Sequence, residues 1–199
     1  MKTQNRLEDL VIDQIVTRLL VKVTKRRFNR TRYWNEYRRR MSRAELKFKK
    51  ILVKYFKQQK LDVLSRGKSY TKDIYQGWSF DFDEWNRRLQ LEGIEFIKTL
   101  VQQEGSEVLR LLRYIMPETT VAFDVTNPFI DGWIQSRALD LAKGINETTT
   151  NAIRDQLSQA MNLGEGISQI ADRIESVFDE ATGYRSQMIA RTETIAASN

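Results

Sequence analysis

The chain has 199 residues, is 41% hydrophobic and 30% charged, carries a formal net charge of +7, and contains neither histidine nor cysteine. Those absences exclude disulfides, zinc–thiolate sites, thiol nucleophiles and imidazole bases. Two prolines and nine glycines favour long uninterrupted helices over a β-sandwich or barrel, and no stretch approaches the ~18 apolar residues of a membrane span.

The net charge conceals an asymmetry. Residues 1–72 carry 22 Lys and Arg against 6 Asp and Glu, a net +16, whereas residues 73–199 carry 11 against 20, a net −9. Two surfaces with different partners are expected, the first facing a polyanion. Three segments follow: a basic helical N-terminal arm over 1–72, a long central helix and connector over 73–126, and a helical domain over 127–199. The early acids Glu8, Asp9 and Asp13 interrupt any signal-peptide core.

In chain order, Leu7, Leu10, Val11, Val16, Leu19, Leu20 and Val23 form a broad helical stripe. The most basic and aromatic stretch follows, from Lys25 to Arg40. Arg26, Arg27, Arg30, Arg32, Arg38, Arg39 and Arg40 can grip phosphates in bidentate fashion, and Tyr33, Trp34 and Tyr37 can stack on exposed bases. The competing reading is a solvated basic face whose aromatics pack inward. Nothing here resembles a groove-reading module, so any nucleic acid would be held by its backbone without sequence readout.

Ser42-Arg43-Ala44-Glu45 reads as a capping box opening a second helix, which runs to about Leu64 on Phe48, Ile51, Leu52, Tyr55 and Phe56. Lysines coat its other side, and Lys49 and Lys50 extend the candidate nucleic-acid set. Arg66-Gly67-Lys68-Ser69 imitates a phosphate-binding loop, but position 62, where that loop needs glycine, is Asp62. Gly67 to Ser79 reads as a loop. Asp81, Asp83 and Glu84 cap the start of a helix of about 35 residues that ends at Pro117, with a kink or break at Gly105. Val121 to Val125 alternates and is the only credible extended segment. Asn127-Pro128 starts the next helix, which Gly144 threatens to break. Gly164 and Gly166 end it and begin another, and Gly183 marks the last turn.

The final helix places Met188, Thr192, Ile195 and Asn199 along one side, and Arg191 and Glu193 diverge, so each needs a partner on a neighbouring element or in solvent. Asp172, Glu175, Arg173 and Arg185 are the candidate partners on adjacent helices. The fold expected is all-α: an elongated multi-helix protein with a C-terminal antiparallel helical bundle and at most one short extended segment.

The run Gly164-Glu165-Gly166-Ile167-Ser168-Gln169-Ile170-Ala171-Asp172-Arg173-Ile174, then Phe178, Tyr184-Arg185 and Ile189-Ala190-Arg191-Thr192-Glu193, resembles the phage minor head, or head-morphogenesis, family of Mu F-like proteins. The resemblance covers roughly a third of the chain and rests on the order and spacing of its pieces. Members of that family continue into a region with an Asp-Arg pair, a His and a closing Cys pair, none of which follows here, so nothing that region does is carried over.

The missing bases, nucleophiles and metal ligands point to a protein without enzymatic activity, and helical spacing accounts for the apolar positions without a cofactor. The resemblance implies a structural protein placed inside the virion near the portal vertex after synthesis in the host cytoplasm, and acting in head assembly, DNA packaging or DNA delivery. Its implied partners are the portal protein, other virion proteins and viral DNA bound without sequence preference; self-association is open, and no membrane is implied. Ala190, Arg191, Thr192, Glu193 and Asn199 are the motif residues expected to dock. The alternatives are a nucleic-acid-binding helical protein with no virion role, which binds without sequence preference, and the remnant of an enzyme whose catalytic part lay beyond residue 199.

Overall fold

The computed structural model describes residues 29–69 and 76–198. Helix α1 spans Arg30–Ser69, a 3₁₀ turn covers Gln76–Trp78, and α2 runs Phe82–Ile115. Helix α3 spans Pro128–Leu163, α4 Ile167–Glu180 and α5 Ser186–Ser198, the last two joined by a π-turn at Ala181–Arg185. No strand occurs among the described residues, so the fold is all-α as expected. The apolar stripe before Lys25, Arg26, Arg27 and Asn199 all lie outside the described residues.

The helix starts follow local chemistry. Asn29 Oδ1 accepts the Arg32 N–H at 2.8 Å, Asp81 Oδ1 accepts that of Glu84 at 2.9 Å, and Asn127 Oδ1 accepts that of Phe129 at 3.0 Å with Pro128 in the first turn. Gly164 closes α3 in the left-handed region, at φ 65°. Gly166 opens α4, its N–H donating to Gln169 Oε1 at 2.9 Å.

Ser42 is different. The helix expected to begin there runs straight through it from Asn29, because its N–H groups already have i−4 carbonyl partners and leave nothing to cap. Glu45 instead accepts a hydrogen bond from Gln187 of α5. The expected loop from Gly67 is also displaced, since α1 continues to Ser69. Gly67 marks a close approach: a Cβ there would lie 2.3 Å from the Trp78 indole.

Helix α2 is unbroken at Gly105, where a Cβ would meet the Phe123 ring at 2.5 Å. Phe123 belongs to the segment expected to be extended, which is irregular and pairs with no strand; Arg113 Nη2 donates to the Val121 carbonyl at 2.8 Å. Helix α3 likewise passes Gly144 without a break. The propensity penalty of one glycine, about 1 kcal/mol, is small beside the packing of a 36-residue helix. Beyond the helix's own nearby backbone, no heavy atom lies within 4 Å of a Cβ placed at Gly132 or Gly144. Alanine at both is therefore expected to stabilise by about 0.5–1 kcal/mol per site and raise the thermal midpoint by several degrees. A lowered midpoint in a thermal melt would contradict this.

The described residues divide into two compact units, one of 29–39 and 102–124, the other of 40–69, 76–101 and 125–198. In the second, α1 and α2 pack antiparallel. Phe48 stacks on Phe96 with centroids 4.2 Å apart, Tyr55 meets Trp85 edge-on, and Trp85 Nε1 donates to Asp62 at 3.0 Å. Ile134, Ala138, Ala142 and Ile145 of α3 and Ile170, Ile174 and Phe178 of α4 complete the core. Within it lies a polar relay: Gln59 Nε2 and the Tyr55 hydroxyl reach Asn146 Oδ1 at 3.0 and 2.7 Å, and Asn146 Nδ2 donates to Asn86 Oδ1 at 2.8 Å. Burial pushes the Tyr55 hydroxyl well above its usual range. These bonds tie α1, α2 and α3 into one register, because sliding any helix leaves a buried amide unpaired.

Candidate functional site

Two groups of residues carry the functional expectations. The first is the start of α1. Arg30, Arg32, Arg38 and Arg39 are exposed there. Arg32 Nε pairs with Glu36 at 2.9 Å and Arg38 Nη2 donates to Asn35 at 2.8 Å, each within one turn, so both stay in solvent. Tyr33, Trp34 and Tyr37 cluster, with the Trp34 ring 5.7 Å from each tyrosine ring and nearly perpendicular to Tyr37. Trp34 is 47% exposed while the tyrosines are half-buried, so only the indole offers substantial stacking surface. The two sequence readings thus divide the aromatics between them.

Arg40, Lys49 and Lys50 belong to the other compact unit. Lys50 is exposed and Lys49 half-buried. Arg43, Lys47, Lys50, Lys54 and Lys57, spaced by three or four residues, form one exposed stripe along α1, and none has an ion-pair partner among the described residues. Helical spacing of lysines could have found that stripe. Lys60 is separate: it reaches Asp179 at 3.1 Å and Glu175 at 3.4 Å on α4.

The second group is the motif helix α5. Ala190 is fully buried and Glu193 nearly so, whereas Arg191 and Thr192 are exposed. The buried face carries Ala190, Glu193, Thr194 and Ala197, so the Met188–Thr192–Ile195 side faces out, with Met188 41% and Ile195 47% exposed. Glu193 accepts two hydrogen bonds from Arg137 of α3, Nε to Oε2 at 2.9 Å and Nη2 to Oε1 at 2.8 Å. Arg137 is not among the partners expected from the sequence. It lies 56 residues away, and no local spacing singles it out.

The candidates named from sequence do other work. Arg173 closes the α3–α4 turn on Glu165, Nη2 to Oε1 at 2.7 Å, and its hydrogen bond holds that carboxyl below the usual carboxylate range. Arg185 donates to the Ile145 carbonyl at 2.7 Å and to Thr149 Oγ1 at 2.9 Å, with its guanidinium over the Phe56 ring. Asp172 is exposed, and Glu175 meets Lys60. Between α3 and α5 an open cleft of about 380 Å³ is lined by Arg137, Arg185, Met188, Thr192 and Glu193, among others.

No family model, curated protein or solved structure matches the chain. Its function must therefore be argued from its own surfaces. Among the described residues no three carboxylates converge to hold a metal ion, and no helix is long and apolar enough to cross a membrane.

Proposed function

We propose that this chain is a non-enzymatic structural protein of a phage head, seated near the portal vertex, that holds the DNA backbone through the start of α1 and docks a virion protein through the outer side of α5. The observation that carries the DNA half is the set of exposed arginines 30, 32, 38 and 39 beside the half-exposed Trp34. Flexible guanidinium forks in solvent suit phosphates, and a single accessible indole suits stacking without sequence readout. The docking half rests on the tail motif, whose Glu193 is spent inward on Arg137 while Arg191, Thr192, Met188 and Ile195 remain outside. A helix anchored by a part-buried bidentate pair presents such side chains rigidly, as an adaptor requires.

The test is DNA affinity as a function of salt. Replacing Arg30, Arg38 and Arg39 by glutamine is expected to flatten the plot of log affinity against log salt by about 2.7, near 0.9 for each phosphate no longer neutralised. Trp34→Ala should weaken single-stranded DNA more than duplex, by about 1–3 kcal/mol. An unchanged salt slope in the triple variant would remove DNA from this segment. For the virion half, the chain should co-fractionate with the portal in purified particles, and Met188→Asp with Ile195→Asp should release it.

A further inference from the structure

On the second compact unit, α1 and α2 leave adjacent outer faces of opposite charge. The α1 face carries exposed Lys50, Lys54 and Lys57, interleaved with Leu46 at 56% and Leu61 at 69% exposure. The α2 face carries exposed Glu92 and Glu95 beside Leu91, itself 57% exposed, and its one cation on the cleft, Arg88, is held by Glu84. Each face borders a shallow cleft, of about 460 Å³ on α1 and about 510 Å³ between the helices, and Lys54 and Gln58 line both. Among the described residues none of these three lysines and two glutamates has an ion-pair partner.

We infer that this double face is a self-association surface, on which a second copy of the chain docks about a two-fold axis running along the α1–α2 groove. Charge complementarity selects that occupant. Turning the groove over on itself sets the basic α1 face of each copy against the acidic α2 face of the other, and the exposed leucines meet between them. The register follows from the antiparallel pair. Phe48 stacks on Phe96 and Tyr55 meets Trp85, so Lys50 stands level with Glu92 and Glu95, and Lys54 one turn further on, beside Arg88. Rotation about an axis along the groove keeps levels, and brings Lys50 opposite its partner's Glu92 and Glu95, with Lys54 one turn away.

The stretch from Leu46 to Leu61 rises only about 22 Å, and its footprint is well below the ~800 Å² per partner of a standard interface. Association is accordingly weak, in the micromolar range, and sensitive to salt. This inference does not rest on the DNA reading: Arg30, Arg32, Arg38 and Arg39 take no part in it.

The test uses the whole chain, freed of nucleic acid, in sedimentation at ~1–100 μM and low salt. The wild type should form dimers that dissociate as salt rises. Lys50→Glu, Lys54→Glu and Lys57→Glu together should reverse the α1 face and leave a monomer, as should Glu92→Lys with Glu95→Lys on α2. An equimolar mixture of these two variants should restore a dimer, since both contacts of the heterodimer are then attractive. All five positions are exposed, and circular dichroism checks that the variants fold. A monomeric wild type at 100 μM, single-face variants that dimerise like wild type, or a mixture that stays monomeric would each overturn the inference. DNA retention, read separately on Glu92→Lys with Glu95→Lys, reports on the other proposal.

Discussion

Replacing Arg137 by alanine is expected to lower the stability of the chain by about 3 kcal/mol. The Glu193 side chain is 9% exposed and takes both its strong hydrogen bonds from this one guanidinium. Without it a carboxylate is left in a largely desolvated place with nothing to balance it, which typically costs about 3–5 kcal/mol. The lower end applies because the Arg137 side chain is 35% exposed and water enters beside it. Removing both partners is a different matter. Arg137→Met with Glu193→Met exchanges a demanding ion pair for apolar contact, and should recover most of the loss. Urea denaturation of the two single variants and the double variant measures the coupling. A single-variant loss under about 1 kcal/mol would show that the pair is screened like a surface bridge and does not seat α5.

The second large effect is expected at Trp78. Its side chain is fully buried and covers Gly67 near the end of α1. Truncation to alanine removes the largest fully buried side chain among the described residues and should cost about 3–5 kcal/mol. Gly67→Ala acts on the same contact from the other side. Its methyl would fall 2.3 Å from the ring, so the indole or the helix must move, at about 1–3 kcal/mol. The two should not add. With the indole gone, the new methyl has no clash, suits the helix better than glycine and fills part of the void. The double variant should thus be no less stable than Trp78→Ala alone. Far-UV circular dichroism during chemical denaturation is the readout, and full additivity would mean that Gly67 and Trp78 act independently.

The signals that proved readable along the chain are short-range. Asp81, Asn127, Gly164 and Gly166 sit where a few backbone groups need capping or a left-handed turn, and neighbours within four residues decide that. The all-α class followed for the same reason: helical spacing repeats through α1 to α4 with little to interrupt it. Even the exposed basic start of α1 was legible, because charge density is a property of composition.

What only the tertiary structure decided lies between elements. Ser42-Arg43-Ala44-Glu45 reads as a helix start, yet capping has meaning only where orphan N–H groups exist, and α1 had already begun. Gly67 and Gly105 read as breaks, whereas each is a place where an aromatic ring from elsewhere lies on the helix. The buried face of α5 is its narrow one, with Ala190 and Ala197, rather than the side of Met188 and Ile195. Bulk and hydrophobicity favour the latter in isolation. The bidentate bond from Arg137 turns the helix the other way, since a carboxylate must bring its partner inside or stay in water. Periodicity along a single helix holds no record of such a partner, because the pairing exists only once α3 and α5 are side by side.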